Sequence, residues 1–179
     1  MKCGKSRVFV QSVIVIAVML LLVTGCSKKT PQQVIDVNAA MARAKDNCAT
    51  VYAPGETKAL QGEVDQMNGL VDEKKMKKAR KSADPLLPKV EDLDKKAQDA
   101  RAKAKSEAEA AMKKAADAVA QAKQAEAAKY NAAGLKQSEG KLAEAKASMS
   151  DPCKYLEAKK LAEDAARQAN NAREAALAE

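Results

Sequence analysis

The apolar positions of the chain follow two different patterns. Residues 8 to 23 form an almost unbroken apolar run, whereas from Val90 onward small apolar residues recur at steps of three and four. That recurrence is helical and predicts a coiled-coil-like seam along one face. The seam residues are Leu93, Ala97, Ala100, Ala104, Ala108, Ala111, Ala115, Ala118, Ala122 and Ala125. Because alanine favours helix and lets helices approach closely, we expect an all-α fold of extended antiparallel hairpins, a coiled-coil-like bundle with one long central helix.

Prolines and capping residues divide the chain into shorter predicted helices. Pro31 and Pro152 each follow a capping residue, an arrangement typical of a helix start. Pro85 and Pro88 are compatible with either a kink or a new helix. The predicted helices span residues 31–52, 56–71, 74–83, 86–130, 133–148 and 152–177.

An internal repeat underlies this pattern. Aligning Tyr52 with Tyr130 superposes two tyrosines that each precede a turn. The same shift places Ala40, Ala42, Ala44 and Lys45 on Ala118, Ala120, Ala122 and Lys123. One added residue in the second copy then places Ala79, Ala83 and Ala97 on Ala158, Ala162 and Ala176. We therefore predict two helical-hairpin repeats, residues 31–107 and 108–179.

The apolar run at the start has the order of an export signal. Basic residues precede it and small residues follow it, just before Cys26. Its 16 residues would span about 24 Å as a helix, short of a hydrocarbon core of about 30 Å. We predict a signal peptide over residues 1–25; the alternative interpretation is an uncleaved signal anchor.

Val23-Thr24-Gly25-Cys26 resembles the lipobox of bacterial lipoproteins. The resemblance implies cleavage between Gly25 and Cys26, followed by a diacylglycerol and an N-acyl chain on Cys26, with no other cofactor. It also implies that residues 26–30 form a lipidated tether in a Gram-negative envelope. Ser27 stands where an aspartate would hold many such proteins in the inner membrane, so we expect the periplasmic face of the outer membrane.

The remaining chain resembles a family of bacterial lipoprotein domains of unknown function built from alanine-rich helical hairpins. The first copy of the pattern consists of Tyr52-Ala53-Pro54, Met76, Ala79 and Ala83. The second copy matches only the later part, with Tyr155, Ala158, Leu161 and Ala162. The resemblance covers most of residues 38–178 and implies helical hairpins but no known activity.

Charge and composition narrow the function classes. Without residues 1–25 the chain has 29 basic and 24 acidic residues, and it contains no histidine. With so few aromatic residues and no clustered metal ligands, we expect no nucleic-acid binding, no metal site and no enzyme activity. The densest basic cluster is a possible contact face and consists of Lys74, Lys75, Lys77, Lys78, Arg80 and Lys81.

Cys48 and Cys153 lie outside the repeated pattern and are a disulfide candidate in the oxidising periplasm. A straight helix over residues 86–130 would hold them far apart. An intramolecular bond would then require the chain to fold back, for which residues 85–88 are the expected place. An extended rod would favour an intermolecular bond, and the sequence leaves both open.

Two hypotheses for function follow. The first is a structural or scaffold lipoprotein, held to the membrane by its lipid, that contacts envelope proteins or a second copy through helix–helix packing. The alternative is a binding module for an anionic envelope ligand, peptidoglycan or lipid, through the basic cluster.

Overall fold

The computed structural model describes residues 29–178, so the predicted signal peptide, its cleavage site at Gly25 and the lipidated Cys26 lie outside the described residues. The described residues form seven α-helices and one 3₁₀ turn. In chain order they are α1 (Gln32–Asp46), α2 (Ala49–Tyr52), α3 (Pro54–Asp72), α4 (Met76–Gln124), α5 (Ala127–Tyr130), α6 (Ala132–Ser148), the 3₁₀ turn (Pro152–Lys154) and α7 (Tyr155–Leu177). The predicted all-α fold with one long central helix is confirmed. Among these helices, none is both long and apolar enough to cross a bilayer.

Helix α4 runs without a break through Pro85 and Pro88. The predicted division into helices 74–83 and 86–130 is therefore wrong, as is the expected end at residue 130. Proline has no N–H group, so Pro85 and Pro88 leave the carbonyl groups of Lys81 and Asp84, four residues earlier, without their helical donors. All four residues are exposed, so water can bind these carbonyl groups. The buried stripe passes these prolines uninterrupted, through Ala79, Ala83, Leu86, Val90, Leu93 and Ala97. The two prolines are tolerated because the backbone hydrogen bonds that they remove lie on the solvent-exposed side of α4.

The backbone has two matching helix breaks, at positions that the predicted repeat alignment pairs. Cys48 is left-handed, with φ of 64°, and so is Glu126, with φ of 57°. Five residues further on, Ala53 and Asn131 have φ of −142° and −144°. The predicted helix over residues 31–52 is thus interrupted before α2, and the same interruption separates α5 from α4.

The first three-helix bundle consists of α1, α3 and the first part of α4. Ion pairs of Lys89 with Glu63, at 2.9 Å, and of Lys96 with Glu56, at 3.1 Å, join α4 to α3. Residue numbers rise along one helix as they fall along the other, so α3 is antiparallel to α4. The helices of the first bundle are joined by short connections, as in an up-down-up bundle.

The second bundle consists of the later part of α4 with α6 and α7. Lys159 pairs with Glu107 at 2.9 Å, and Arg173 donates to Gln121. Both contacts join residues 52 apart in the chain, so α7 runs parallel to α4. Helix α4 therefore belongs to both bundles, which are arranged one after the other along it.

The two bundles have separate cores of different composition. The larger side chains of the first core are Val34, Val37, Met41, Leu60, Val64, Met67, Leu86, Val90 and Leu93. The second core is mostly alanine, from α4 and α7: Ala111, Ala115, Ala118, Ala122, Ala162, Ala165, Ala169, Ala172 and Ala176. Fewer methylene groups are buried in the second core, so the hydrophobic stabilisation per residue is smaller there.

We predict that the second core does not accept a larger side chain. Ala115 is fully buried, whereas its neighbour Ala116 is exposed. Ala115→Leu should lower the free energy of unfolding by about 1–3 kcal/mol because the helices are forced apart. Ala116→Leu, the matched control, should change it by less than about 0.5 kcal/mol. Chemical unfolding followed by circular dichroism measures both, and equal effects of the two variants would contradict the close packing.

Candidate functional site

The predicted basic cluster lies at one end of the first bundle, in the turn between α3 and α4 and in the first turns of α4. All six side chains are exposed: Lys74, Lys75, Lys77, Lys78, Arg80 and Lys81. Glu73 lies among them and forms an ion pair with Lys75 at 2.5 Å. The hydrogen bond from Lys75, with a further contribution from the charge of Lys78, lowers the pKa of Glu73 below its usual value. The six basic residues therefore lie together at one end of the first bundle, which we call the basic end.

The backbone at the basic end has an unfavourable conformation at Lys74, and the start of α4 lacks stabilising groups. Lys74 is left-handed, with φ of 59°, at a position where glycine is the usual residue. Its N–H donates to the carbonyl of Val71, and that of Lys75 donates to the carbonyl of Leu70. Helix α4 then begins without a side-chain cap and without an acidic residue in its first turn. Basic residues there add to the positive end of the helix dipole, which is unfavourable for helix stability.

The chain enters α1 at this same end. Asn38 in α1 and Asn68 in α3 exchange two side-chain hydrogen bonds of 3.0 Å. Because these helices are antiparallel, Gln32 and Lys74, each six residues further toward the basic end, lie at about the same level, roughly 9 Å beyond the asparagines. The start of α1 and the lysine cluster therefore share one end of the bundle.

The predicted cysteine pair lies at the junction of the two bundles. Of the two pairings that the sequence left open, the structure has the intramolecular disulfide between Cys48 and Cys153, with 5.4 Å between their α-carbons. The route differs from the expected one, since the chain does not fold back at Pro85–Pro88. Instead α1 ends and α7 begins beside the middle of α4. The cysteines meet because α1 and α7 lie one after the other along α4.

Hydrogen bonds at this junction add links that sequence reasoning missed. The side-chain amide of Asn47 donates to Asp94 of α4 at 2.6 Å. The Tyr52 hydroxyl donates to the carbonyl of Pro152 at 2.6 Å, joining α2 to the 3₁₀ turn. Partial burial raises the pKa of Tyr52 above its usual value. The sequence marks Tyr52 only as a residue that precedes a turn, and nothing in it distinguishes Asp94 from the other acidic residues of α4.

A shallow groove runs between α4 and α7 beyond the junction. Its lining residues are Glu107, Ala110, Ala111, Lys114, Lys159, Glu163 and Ala166. The Glu107–Lys159 pair at its edge lowers the pKa of the carboxyl group and raises that of the amine, chiefly through their hydrogen bond. Both groups therefore stay charged over the physiological range. Within residues 29–178 there is no group of three or more histidine, cysteine or acidic residues placed to hold a metal ion.

Comparisons of the chain with models of protein families, with curated proteins and with solved structures found no match. The features of the molecule that bear on function are thus the basic end, the disulfide junction and the groove between α4 and α7.

We predict that the disulfide makes a large contribution to stability. Its half-cystines are 105 residues apart, and closing a loop of that length stabilises a fold by up to about 4–5 kcal/mol. Cys48→Ser combined with Cys153→Ser should lower the urea midpoint, and reductant should lower that of the wild type to the same value. The double variant is its own control, because reductant should leave it unchanged. A wild-type midpoint that does not respond to reductant would contradict the prediction.

Proposed function

We propose that the protein is a membrane-anchored periplasmic scaffold lipoprotein. Acyl chains on Cys26 would hold it to the periplasmic face of the outer membrane, and its helices would contact envelope proteins or a second copy. More than one acyl chain makes such an anchor stable. The proposal assigns no catalytic role to any residue.

The single observation that supports this proposal best is the continuity of α4 through both bundles. Its 49 residues correspond to a helix of about 73 Å. The remaining helices lie along it, and the disulfide ties them together at its middle. An elongated rod with a lipid at one end is suited to holding a partner at a fixed distance from a membrane.

The groove between α4 and α7 supports a partner helix as the contact. Its floor consists of alanine, which lets another helix approach closely, and charged residues such as Lys114 and Glu163 line its edges. Paired charges at the edge of an interface contribute specificity more than affinity.

An alternative function is binding of an anionic envelope ligand, peptidoglycan or lipid, by the basic end. The observation that favours it is the set of lysines gathered where the helix dipole disfavours them. Pull-down on purified cell wall at low and high salt separates this alternative from the scaffold, because salt screens contacts between charges.

We predict that the groove crosslinks to a partner in cells. A photoreactive amino acid at Ala110, which is exposed in the groove, should give an adduct of discrete mass. The matched control is the same amino acid at Lys136, which is exposed on α6 and should give none. Mass spectrometry of the membrane fraction, read in parallel, should show a chain that begins at Cys26 and carries acyl groups.

Two results would contradict the proposed function. One is an unlipidated chain that retains residues 1–25. The other is a lipidated chain from which position 110 gives no adduct with another protein or with a second copy.

A further inference from the structure

We infer that the basic end docks on anionic phospholipid headgroups of the membrane that holds the anchor, so that the rod stands on this end and its second bundle points away. The inference rests on the proposed lipid anchor at Cys26. It adds the orientation of the molecule and the ligand of the lysine cluster. Four observations lead to it: the position of the chain entry, the charge balance, the helix dipole and one exposed apolar side chain.

The first observation is the position of the cluster. Gln32 and Lys74 lie at one level, as the paired Asn38 and Asn68 show. Only five residues separate Cys26 from Gln32, and a fully extended chain of that length reaches about 20 Å at most. A lipid on Cys26 would therefore keep the basic end close to the headgroups. The last residues of α4 lie at the opposite end of the rod.

The second observation is the charge balance at this end. Between residues 72 and 81 the chain has six basic residues and two acidic ones, Asp72 and Glu73. Glu73 is already paired with Lys75. Lys28 and Lys29 add two more positive charges between Cys26 and the start of α1. Clusters of four to eight basic residues beside a membrane attachment point are typical of binding to anionic lipid.

The third observation is that the dipole of α4 disfavours the two lysines of its first turn, Lys77 and Lys78. They stand at the positive end of a 49-residue helix that has no acidic residue in its first turn. Each is locally unfavourable for the helix, yet each adds to the field that attracts a phosphate. A local arrangement that opposes stability is expected at a functional surface.

The fourth observation favours a membrane over peptidoglycan as the ligand. Ile35, one turn into α1 from the basic end, has 48 % of its surface exposed. An exposed apolar residue one helical turn from a basic end is suited to the boundary between headgroups and acyl chains. Charge contacts also require short distances, since the Debye length is about 8 Å at physiological salt. Headgroups lie within reach of the tether, whereas the cell wall has no fixed position relative to this end.

The test is a footprint of lysine reactivity on the full chain. Protein purified from the membrane is reconstituted in vesicles of phosphatidylcholine alone, or with one third phosphatidylglycerol, and treated with a water-soluble amine reagent. Lys74, Lys75, Lys77, Lys78 and Lys81 should react at least threefold more slowly in the vesicles with phosphatidylglycerol. Lys113 and Lys146 in the second bundle are internal controls and should react equally in both. Salt at about 1 M, which shortens the Debye length to about 3 Å, should remove the difference.

Two variants complete the test. Lys74→Gln, Lys75→Gln, Lys77→Gln and Lys78→Gln together should return Lys81 to the reactivity it has in phosphatidylcholine. The matched variant replaces four exposed lysines of the second bundle that lie outside the groove, Lys113, Lys136, Lys146 and Lys160, by glutamine, and it should leave the protection of Lys81 intact. Glutamine has nearly the helix propensity of lysine, so the helices are retained.

The outcomes separate this inference from the proposed function. Equal reactivity of the basic-end lysines in the two vesicle types overturns the inference, even if the chain is lipidated. Protection by purified cell wall without any effect of phosphatidylglycerol overturns it as well and assigns the cluster to peptidoglycan. An intact mass without acyl groups contradicts the proposed function, and the same comparison of vesicles then still decides whether the basic end binds anionic lipid.

Discussion

The structure depends on the packing of one helix against two successive sets of partners. The buried stripe of α4 contacts α1 and α3 in the first bundle, then α6 and α7 in the second. Because the stripe lies on one uninterrupted helix, the two bundles share an axis, and the ends of α1 and α7 meet beside its middle. A break in α4 would remove the common axis, the site of the disulfide and the separation between the basic end and the groove.

The two bundles differ in how this packing is achieved. The predicted repeat alignment pairs Leu86, Val90 and Leu93 of the first core with Ala165, Ala169 and Ala172 of the second. The alanine core relies on close approach and on helix propensity more than on buried area. The disulfide lies at the joint between the larger core and the smaller one, where it holds the start of α7 against the more substantial bundle. The basic end and the groove therefore lie in bundles with different cores, on opposite sides of this joint.

Much of the fold could be predicted from periodicity, because a seam of alanine at steps of three and four has few alternatives to a long helix. The path through Pro85 and Pro88 could not, since the cost of a helical proline depends on whether the freed carbonyls face solvent. The break at Cys48 was missed because its left-handed conformation is one that glycine usually adopts. The residues of the basic end were recognisable as a charge cluster. Their position beside the chain entry was not, because it follows from the register of α1 against α3.

The continuity of α4 is tested most directly by a distance measurement along it. Spin labels carried by unnatural amino acids at Lys81 and Lys123, both exposed on α4, leave the native cysteines untouched. The separation of 42 positions along the helix predicts one narrow distribution centred at about 60 Å in double electron–electron resonance. A distribution centred below about 40 Å would mean that the chain folds back within α4, and would contradict the account of two bundles on one shared helix.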